Sequence, residues 1–249
     1  MHSFILRIGY AIFKICKFLR KVILLGIKEN YEDILSRAKK ACEKSGRDFS
    51  DVLILGVSKT VDADTLIKAR DMGIKTLGEN RVQELLEKYD KVENVKWHLI
   101  GHLQTNKVKY IIDKVELIHS VESIKLLSEI SKQAKKIGKV QKVLIEVNVS
   151  GEESKFGIKP EEICTFLEDA KNFDSVLISG FMTMAPLDAQ KDEIRRIFKN
   201  LYKIYIDIKQ KKYDNIDMKY LSMGMSNDFE IALEEGANIV RVGRALFKR

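Results

Sequence analysis

The sequence predicts an α/β protein built as a single (β/α)8 barrel of the TIM type. Two observations point to this fold. Short apolar strands and helices alternate eight times from residue 29 onward. The strands also lack the apolar–polar alternation of half-exposed strands, which is typical of parallel strands covered on both faces. Eight such units over about 220 residues close naturally into a barrel. A doubly wound open sheet is the alternative.

The predicted elements follow one another without a linker segment. An extra N-terminal helix is predicted over residues 29–46, with Gly46 as its C-terminal cap. Strands are predicted to begin near residues 52, 76, 96, 117, 142, 177, 220 and 238, and the helices between them include residues 107–113 and 191–209. Pro160 opens a further helix at the position that proline favours. Neither of the two prolines lies in a Ser/Gly-rich stretch, so we expect no internal domain boundary.

Residues 1–28 are predicted to be a basic, apolar extension in front of a barrel formed by residues 29–249. The extension carries six basic residues and no acid, and its longest uncharged runs are residues 8–13 and 22–27. These runs are far shorter than the ~20 residues that span a bilayer, and the charges lie inside the apolar part, unlike those of a secretory signal. A helix lying on an anionic membrane is one interpretation. An appendage, such as one from a misplaced translation start, fits the composition better, so we do not expect membrane contact.

The charge distribution argues against a nucleic-acid-binding protein. The net charge is +8, of which +6 lies in the extension, so the barrel is left with only +2. Its basic and acidic residues are interleaved on the predicted helices rather than gathered on one face. The three cysteines, Cys16, Cys42 and Cys164, are far apart and form no CxxC motif. Buried thiols in a reducing cytoplasm are therefore expected.

Lys59 is the first candidate functional residue. It follows the apolar run VLILGV at residues 52–57 and therefore lies at the carboxyl end of the first strand. An ammonium group at that position either reaches solvent along its own stem or lies in an apolar pocket, where the neutral amine is a nucleophile toward an aldehyde. Active sites of barrels lie at this end of the strands. Lys59 is thus expected at the mouth of the barrel.

The last two strands carry the features of an anion site. LSMGMSND and VRVGRALF each place a glycine at a strand end. Gly224 and Gly243 allow backbone N–H groups to approach an anion closely, and Ser226 adds a hydroxyl donor. The ends of strands seven and eight recurrently bind phosphate in barrels. Opposite a lysine on strand one, this pattern suggests a ligand with an aldehyde at one end and a phosphate at the other.

Other polar residues at strand ends are weaker candidates for the ligand pocket. Asn80 is expected to line the pocket, and Glu79 is a candidate cap for the helix that follows it. His98 and His102 are four residues apart but flank a strand end with no third ligand in pattern, so we expect no zinc site. They are candidates for polar groups of the pocket, and ordinary hydrogen-bonded histidines are the alternative.

Six motifs together resemble one known family. They are GVSKT, GEN, WHLIGHLQTNK, SGFMTM, LSMGMSND and VRVGRALF. These motifs are similar to those of the pyridoxal phosphate homeostasis proteins, single-domain relatives of the alanine racemase barrel. The resemblance covers residues 29–249 and implies the fold type III of pyridoxal 5'-phosphate (PLP)-binding proteins.

The resemblance also implies roles for individual residues. Lys59 corresponds to the lysine that forms a Schiff base with PLP. By analogy with the racemase barrel, Ser226 and the backbone of Gly243 and Arg244 hold the phosphate, and Arg241 faces the pyridine nitrogen. An arginine there keeps that nitrogen unprotonated and weakens the cofactor as an electron sink. Many relatives carry a hydroxyl residue in place of Arg244, so the role of the Arg244 side chain is left open.

The resemblance implies a protein without evident catalysis. It would carry or buffer PLP, maintain vitamin B6 homeostasis and pass the cofactor to apoenzymes that depend on it. The alternative is a racemase or decarboxylase that uses the same Schiff base. Racemases of this type carry a second, β-rich domain that supplies a tyrosine acid/base, and no such segment is seen here, so slow turnover is expected. A weaker hypothesis is a membrane- or nucleic-acid-binding module driven by the basic extension.

Overall fold

The protein forms a closed barrel of eight parallel strands. The computed structural model describes residues 26–152, 156–211 and 213–247. Each strand pairs with its neighbours in sequence order, and β8 closes the barrel onto β1. The strands are β1 (Leu53–Val57), β2 (Thr76–Glu79), β3 (Lys96–Leu99), β4 (Val115–Val121), β5 (Gln141–Glu146), β6 (Val176–Met182), β7 (Ile216–Met225) and β8 (Ile239–Val242). The barrel prediction is confirmed, and the open sheet is excluded.

Helices connect the strands on the outside of the barrel. They are α1 (26–44), α2 (Ala63–Asp71), α3 (Val82–Tyr89), α4 (Ile124–Lys136), α5 (Ile163–Ala170), α6 (Lys191–Lys209), α7 (Phe229–Glu234) and α8 (Arg244–Phe247). The helix predicted over residues 107–113 is instead a 3₁₀-helix, Thr105–Tyr110. In a 3₁₀-helix residues three apart share a face. This tighter turn therefore suffices to bury Val108 and Ile111 together.

Helix α1 covers the side of the barrel where the chain closes. The Asn30 side-chain amide donates to the Leu246 carbonyl of α8, and Arg37 pairs with Glu230 of α7 at 2.8 Å. Since α8 has only four residues, α1 supplies the long helix that this position lacks. The helix is already present at residue 26, and Ile27 is only 2% exposed. It thus includes three residues that the sequence analysis assigned to the extension, whose residues 1–25 lie outside the described part.

The core has two layers. The larger lies between the strands and the helices, and the smaller fills the inside of the barrel with side chains from five strands: Leu55, Leu117, Leu144, Met182 and Ile239. Polar side chains occupy the rest of the interior toward the carboxyl ends of the strands, as described below. The packed apolar layer therefore forms a floor beneath the mouth of the barrel.

Two further findings concern the sequence expectations. Both cysteines in the described residues are free thiols; Cys42 is buried, but Cys164 is exposed. The expectation of a buried thiol is therefore wrong for Cys164, because it lies on the solvent face of α5, beside the buried Ile163. Within residues 26–152, 156–211 and 213–247, no helix has the length and apolar character needed to cross a membrane.

Candidate ligand site at the carboxyl end of the barrel

One cavity brings together all six residues that the sequence analysis placed in the site. Its volume is about 630 Å³, and its lining includes Lys59, Asn80, Ser226, Arg241, Gly243 and Arg244. A smaller adjoining pocket of about 520 Å³ shares four of them: Lys59, Ser226, Gly243 and Arg244. We call this smaller pocket the phosphate lobe. Residues from both ends of the barrel sequence thus face a common space at the carboxyl ends of the strands.

The backbone around Lys59 is fixed by a buried ion pair. Glu79 is fully buried at the end of β2, and its Oε1 accepts from Lys88 Nζ at 2.6 Å and lies 2.7 Å from Ser58 Oγ. Lys88 Nζ also donates to the Ser58 carbonyl at 2.8 Å. Thr60 follows with φ of +62°, a left-handed conformation uncommon for threonine. These constraints fix the chain on both sides of Lys59, whose exposed side chain lines the cavity.

Glu79 therefore does not cap α3, which corrects the sequence expectation. The N-cap residue of α3, Arg81, receives no side-chain capping hydrogen bond, and the Glu79 carboxylate points instead to Lys88. The sequence carried a signal for this pair. Val82, Leu85 and Lys88 recur every three residues on the buried stripe of α3. A lysine on a buried stripe requires an acidic partner, since an unpaired charge is costly there.

The phosphate lobe is shaped by close backbone approaches. Gly224 has φ of +89°, and a Cβ there would lie 2.5 Å from the Ala232 Cβ. A Cβ on Gly243 would lie 3.2 Å from the Val57 Cβ, so any side chain would crowd the wall between β8 and β1. Ser226 Oγ accepts from the Ala245 backbone N–H at 3.2 Å, which joins the ends of β7 and β8. The lobe is thus lined by small residues, a hydroxyl and backbone groups.

Arg241 anchors a hydrogen-bonded chain that crosses the inside of the barrel. Its guanidinium donates to Ser222 Oγ at 2.7 Å and to the Thr183 carbonyl at 2.9 Å. His119 Nδ1 lies 3.0 Å from Ser222 Oγ, and His119 Nε2 lies 3.0 Å from His98 Nδ1. We call Arg241, Ser222, His119 and His98 the polar chain. It links β8, β7, β4 and β3.

The protonation states of the polar chain follow from burial. Burial lowers the pKa of His98 to about 3 and that of His119 well below its ordinary value, so both rings are neutral at pH 7. Burial also lowers the pKa of Arg241 to about 10, which leaves it charged. An arginine side chain can only donate hydrogen bonds, so Ser222 Oγ accepts from Arg241 and in turn donates a hydrogen bond to His119 Nδ1. His119 Nε2 then donates to His98 Nδ1, so the proton of the neutral His98 ring lies on its Nε2.

Sequence reasoning missed His119, Ser222 and Glu146. His119 lies in the middle of an apolar strand, two residues after Leu117 of the inner apolar layer, and that spacing puts both side chains on the inward face of β4. A histidine at an inward-facing position of an apolar strand was the feature by which the sequence could have identified His119. His98 belongs to the polar chain, whereas His102 lies on the rim, where it contacts Glu122 at 3.1 Å and stacks on Phe156. No group of three potential metal ligands occurs within the described residues.

Glu146 is the least compensated charge of the cavity. It ends β5, lines the cavity and is 4% exposed. No residue of the described ranges donates a hydrogen bond to its carboxylate, and its pKa rises to about 7 because of burial first and the nearby Glu122 second. Arg241 opposes this shift. The cavity therefore contains one acid that can exist in either state near neutral pH.

The donor set fits a ligand that carries an aldehyde and a phosphate. Lys59 offers an exposed amine, Ser226 a hydroxyl, and Arg241 and Arg244 positive charge, while Gly243 leaves room for an anion beside the backbone. A phosphate dianion prefers such a combination of charge and small residues. The residues present thus fit the group that the sequence analysis expected.

Comparison with known proteins shows which family this is. A family model described as "Alanine racemase, N-terminal domain" matches residues 29–249. The Pyridoxal phosphate homeostasis protein of Aquifex aeolicus is 45% identical over 221 residues, which cover 88% of this chain and 96% of that protein. The protein of the same name from Pseudomonas aeruginosa is 34% identical, over 89% of this chain and 94% of its own length.

Solved structures agree. PipY of Synechococcus elongatus, determined with PLP bound, is 29% identical with a TM-score of 0.74, over 85% of this chain and 99% of its own. An alanine racemase of Clostridium difficile is only 17% identical, with a TM-score of 0.70, over 88% of this chain and 56% of its own. The second likeness shows the shared barrel alone. These matches confirm the resemblance found in the sequence, and the chain belongs to the pyridoxal phosphate homeostasis protein family, which is built on the alanine racemase N-terminal domain.

Proposed function

We propose that this protein binds PLP covalently through Lys59 and carries or buffers it, so that the reactive aldehyde is held until an apoenzyme receives it. The observation that carries the proposal is the shared cavity. Lys59, Ser226 and Gly243 line the same space although they come from opposite ends of the barrel sequence. Relatives named for PLP homeostasis, and PipY with PLP bound, support the same ligand.

Each residue has a defined task toward the ligand. PLP supplies an aldehyde that reacts with amines and a ring that withdraws electrons. The Ser226 hydroxyl and the backbone beside Gly243 and Arg244 would hold the phosphate, and the Lys59 amine would condense with the aldehyde, with the aldehyde oxygen leaving as water. Arg241 is held by Ser222 and the Thr183 carbonyl, and its fixed positive charge would serve the pyridine nitrogen of the bound cofactor. Asn80 lines the wall beside Lys59.

The absence of evident catalysis is part of the proposal. Arg241 stays protonated at pH 7 and donates only, so it keeps the pyridine nitrogen unprotonated and limits the ring as an electron sink. No tyrosine is among the described residues that line either part of the cavity. The Aquifex relative that is named for PLP homeostasis matches this chain over 96% of its own length. These points favour a carrier over the racemase alternative.

The proposal includes the organisation of the chain and its location. The barrel of residues 29–249 is the PLP-binding unit, and residues 1–28 are an extension that the binding does not need. The free thiols of Cys42 and Cys164 agree with a reducing cytoplasm as the place where PLP is held.

The decisive experiment locates the covalent bond. Protein loaded with PLP is reduced with borohydride, digested and mapped by mass spectrometry, and the absorbance of the bound cofactor is recorded beforehand. We expect the label on Lys59 and complete loss of both signals in Lys59→Ala. Lys75→Ala is the matched control, because Lys75 is exposed just before β2, at the opposite end of the barrel. A stable label on another lysine would contradict the assignment.

A second measurement tests the carrier against the enzyme. Loaded protein is incubated with L-alanine for hours and the product is resolved by chiral chromatography. We expect no D-alanine above the level given by free PLP. Racemisation that depends on Lys59 would replace the carrier with the racemase alternative.

A further inference from the structure

The larger cavity extends beyond the phosphate lobe into a second region with a different chemistry. We define this rim lobe by His102, Glu146, Phe156, Met184, Leu187 and Ile194, all of which line the larger cavity and none of which lines the phosphate lobe. It combines a buried carboxyl group with an apolar edge that faces solvent. The roles assigned above to the cavity residues leave this combination without a function.

We infer that the rim lobe binds a primary ammonium group that carries an apolar substituent, with Glu146 as the partner of the charge. The inference rests on the proposed function and deepens it, because it names the class of molecule that approaches the held aldehyde. The amine binds beside Lys59, in the same cavity, before any exchange of the aldehyde.

The case for a cation rests on Glu146 and Glu122. Glu146 is 4% exposed, and no described residue donates a hydrogen bond to its carboxylate. Its neighbour Glu122 has one oxygen 3.1 Å from His102 Nδ1, while the other is buried with no hydrogen-bond partner in the described structure. A largely buried carboxylate that receives no hydrogen bond from the protein is unfavourable, and of the two acids only Glu146 lines the cavity, where a donor-rich cation can reach it. A primary ammonium offers three N–H donors.

Arg241 does not fill this role. Its Nη1 and Nη2 groups donate to Ser222 and to the Thr183 carbonyl, and no ion pair joins it to Glu146 among the described residues. The two groups influence each other only through space, since each shifts the pKa of the other. Glu146 is therefore free to meet a ligand without breaking the polar chain.

The case for an apolar substituent rests on the edge of the lobe. Leu187 is 86% exposed, Phe156 is 55% exposed and Met184 is 37% exposed. Large apolar side chains scattered singly over a surface need no explanation, but three around one cavity mark a binding site. The Phe156 ring is held by stacking on His102, with 4.4 Å between ring centroids. An apolar chain attached to the ammonium would cover these side chains.

The experiment measures binding of 2-phenylethylamine to the full-length protein freed of PLP, by isothermal titration at pH 8. We expect Glu146→Gln to weaken binding by about tenfold or more, as for a lost charge-assisted hydrogen bond. Leu187→Ser is expected to weaken binding about threefold through lost apolar contact. Glu161→Gln, which changes an exposed acid in the 3₁₀ turn just before α5, is the matched control and should bind like the unchanged protein.

A neutral ligand of the same shape separates charge from size. 2-Phenylethanol should bind about tenfold more weakly than the amine to the unchanged protein, and the two ligands should bind equally to Glu146→Gln. Equal affinity of the two ligands for the unchanged protein, or amine binding that does not respond to Glu146→Gln, would overturn the inference. The second result would leave Glu146 as a counter-charge for Arg241 only.

The outcome is separable from that of the proposed function. Loading with PLP and reduction with borohydride are repeated on Glu146→Gln, where we expect the label on Lys59 to be retained. If the unchanged protein takes up no PLP, the proposed function fails whatever the amine does. If it takes up PLP but Glu146→Gln does not change the affinity for the amine, only the inference about the rim lobe fails.

Discussion

The two lobes of the cavity differ in whether their acceptor groups already have hydrogen-bond partners within the protein. Around the phosphate lobe, two polar side chains are already paired: Ser226 accepts from the Ala245 N–H, and the Asp228 carboxylate accepts from the Met225 N–H at 2.5 Å. In the rim lobe, Glu146 lacks a hydrogen-bond partner among the described residues, and Leu187 is 86% exposed. The difference teaches that one half is preorganised for a ligand of fixed shape, whereas the other half is left incomplete for a ligand that varies.

The largest expected effect comes from breaking the support of the preorganised half. Lys88→Met leaves the fully buried Glu79 carboxylate without its cation, and removal of one partner from a buried ion pair typically costs about 3–5 kcal/mol. We expect the free energy of unfolding, measured by urea denaturation, to fall by that amount. The loss of PLP from Lys59 should also become faster, since Lys88 holds the Ser58 carbonyl.

Two further variants show whether the effect belongs to the buried pair. Lys142→Met removes the cation of an exposed pair with Glu116 and should cost about 1 kcal/mol or less. The double variant Glu79→Gln with Lys88→Met should recover part of the loss, because no uncompensated charge remains. A loss in Lys88→Met no greater than that in Lys142→Met would show that the buried pair does not support the site.

The second prediction concerns the pH dependence of protein stability that Glu146 of the rim lobe causes. The pKa of Glu146 is about 7 in the folded protein and 4.5 ordinarily. Between these values the folded protein keeps a proton that the unfolded chain has released, so rising pH favours unfolding. Glu146→Gln removes this penalty. We expect the variant to be more stable than the unchanged protein by roughly 3 kcal/mol at pH 8, with no advantage below about pH 4.5.

A carboxylate with the opposite shift provides the control. Lys142 donates a hydrogen bond to Glu116 and lowers its pKa, so Glu116 contributes stability above its ordinary pKa and loses it as pH falls. Glu116→Gln should therefore be slightly less stable than the unchanged protein at pH 8. If Glu146→Gln and Glu116→Gln shift the unfolding curve in the same direction at pH 8, the contrast between a paired and an unpaired carboxylate is wrong.

The same contrast explains what the sequence could predict. Lys59, Ser226 and Gly243 were found because strand ends can be located along the chain, and the barrel fold then places all strand ends at one mouth. Their convergence needed only the order of the elements. The roles of the Glu79–Lys88 pair, His119 and Glu146 depend on which way a side chain faces and on what lies across the barrel, between elements far apart in sequence.

Partial signals existed for some of these. Lys88 on the buried stripe of α3 and His119, two residues after the inward-facing Leu117 of β4, were both visible as polar residues at otherwise apolar positions. Their partners were not visible, because His119 bonds to a serine 103 residues away in the sequence. Glu146 gave no signal, since one glutamate at a strand end resembles any other until its neighbours are known.

The smallest effect is expected at a glycine of the preorganised half. Gly224→Ala places a Cβ 2.5 Å from the Ala232 Cβ and 2.9 Å from the Phe229 Cα, and it does so at a φ of +89°. Overpacking of this kind costs about 1–3 kcal/mol.

Gly46→Ala is the matched control for this variant. Gly46 also has a positive φ, +68°, but no atom lies within 4 Å of the added Cβ, so only the backbone strain of about 1 kcal/mol is expected. Since Gly224 lies two residues before Ser226, which lines the phosphate lobe, Gly224→Ala should also weaken PLP retention, whereas Gly46→Ala should not. Urea denaturation and dialysis of the loaded proteins measure the two effects, and equal retention in both variants would mean that the close packing around Gly224 does not shape the lobe.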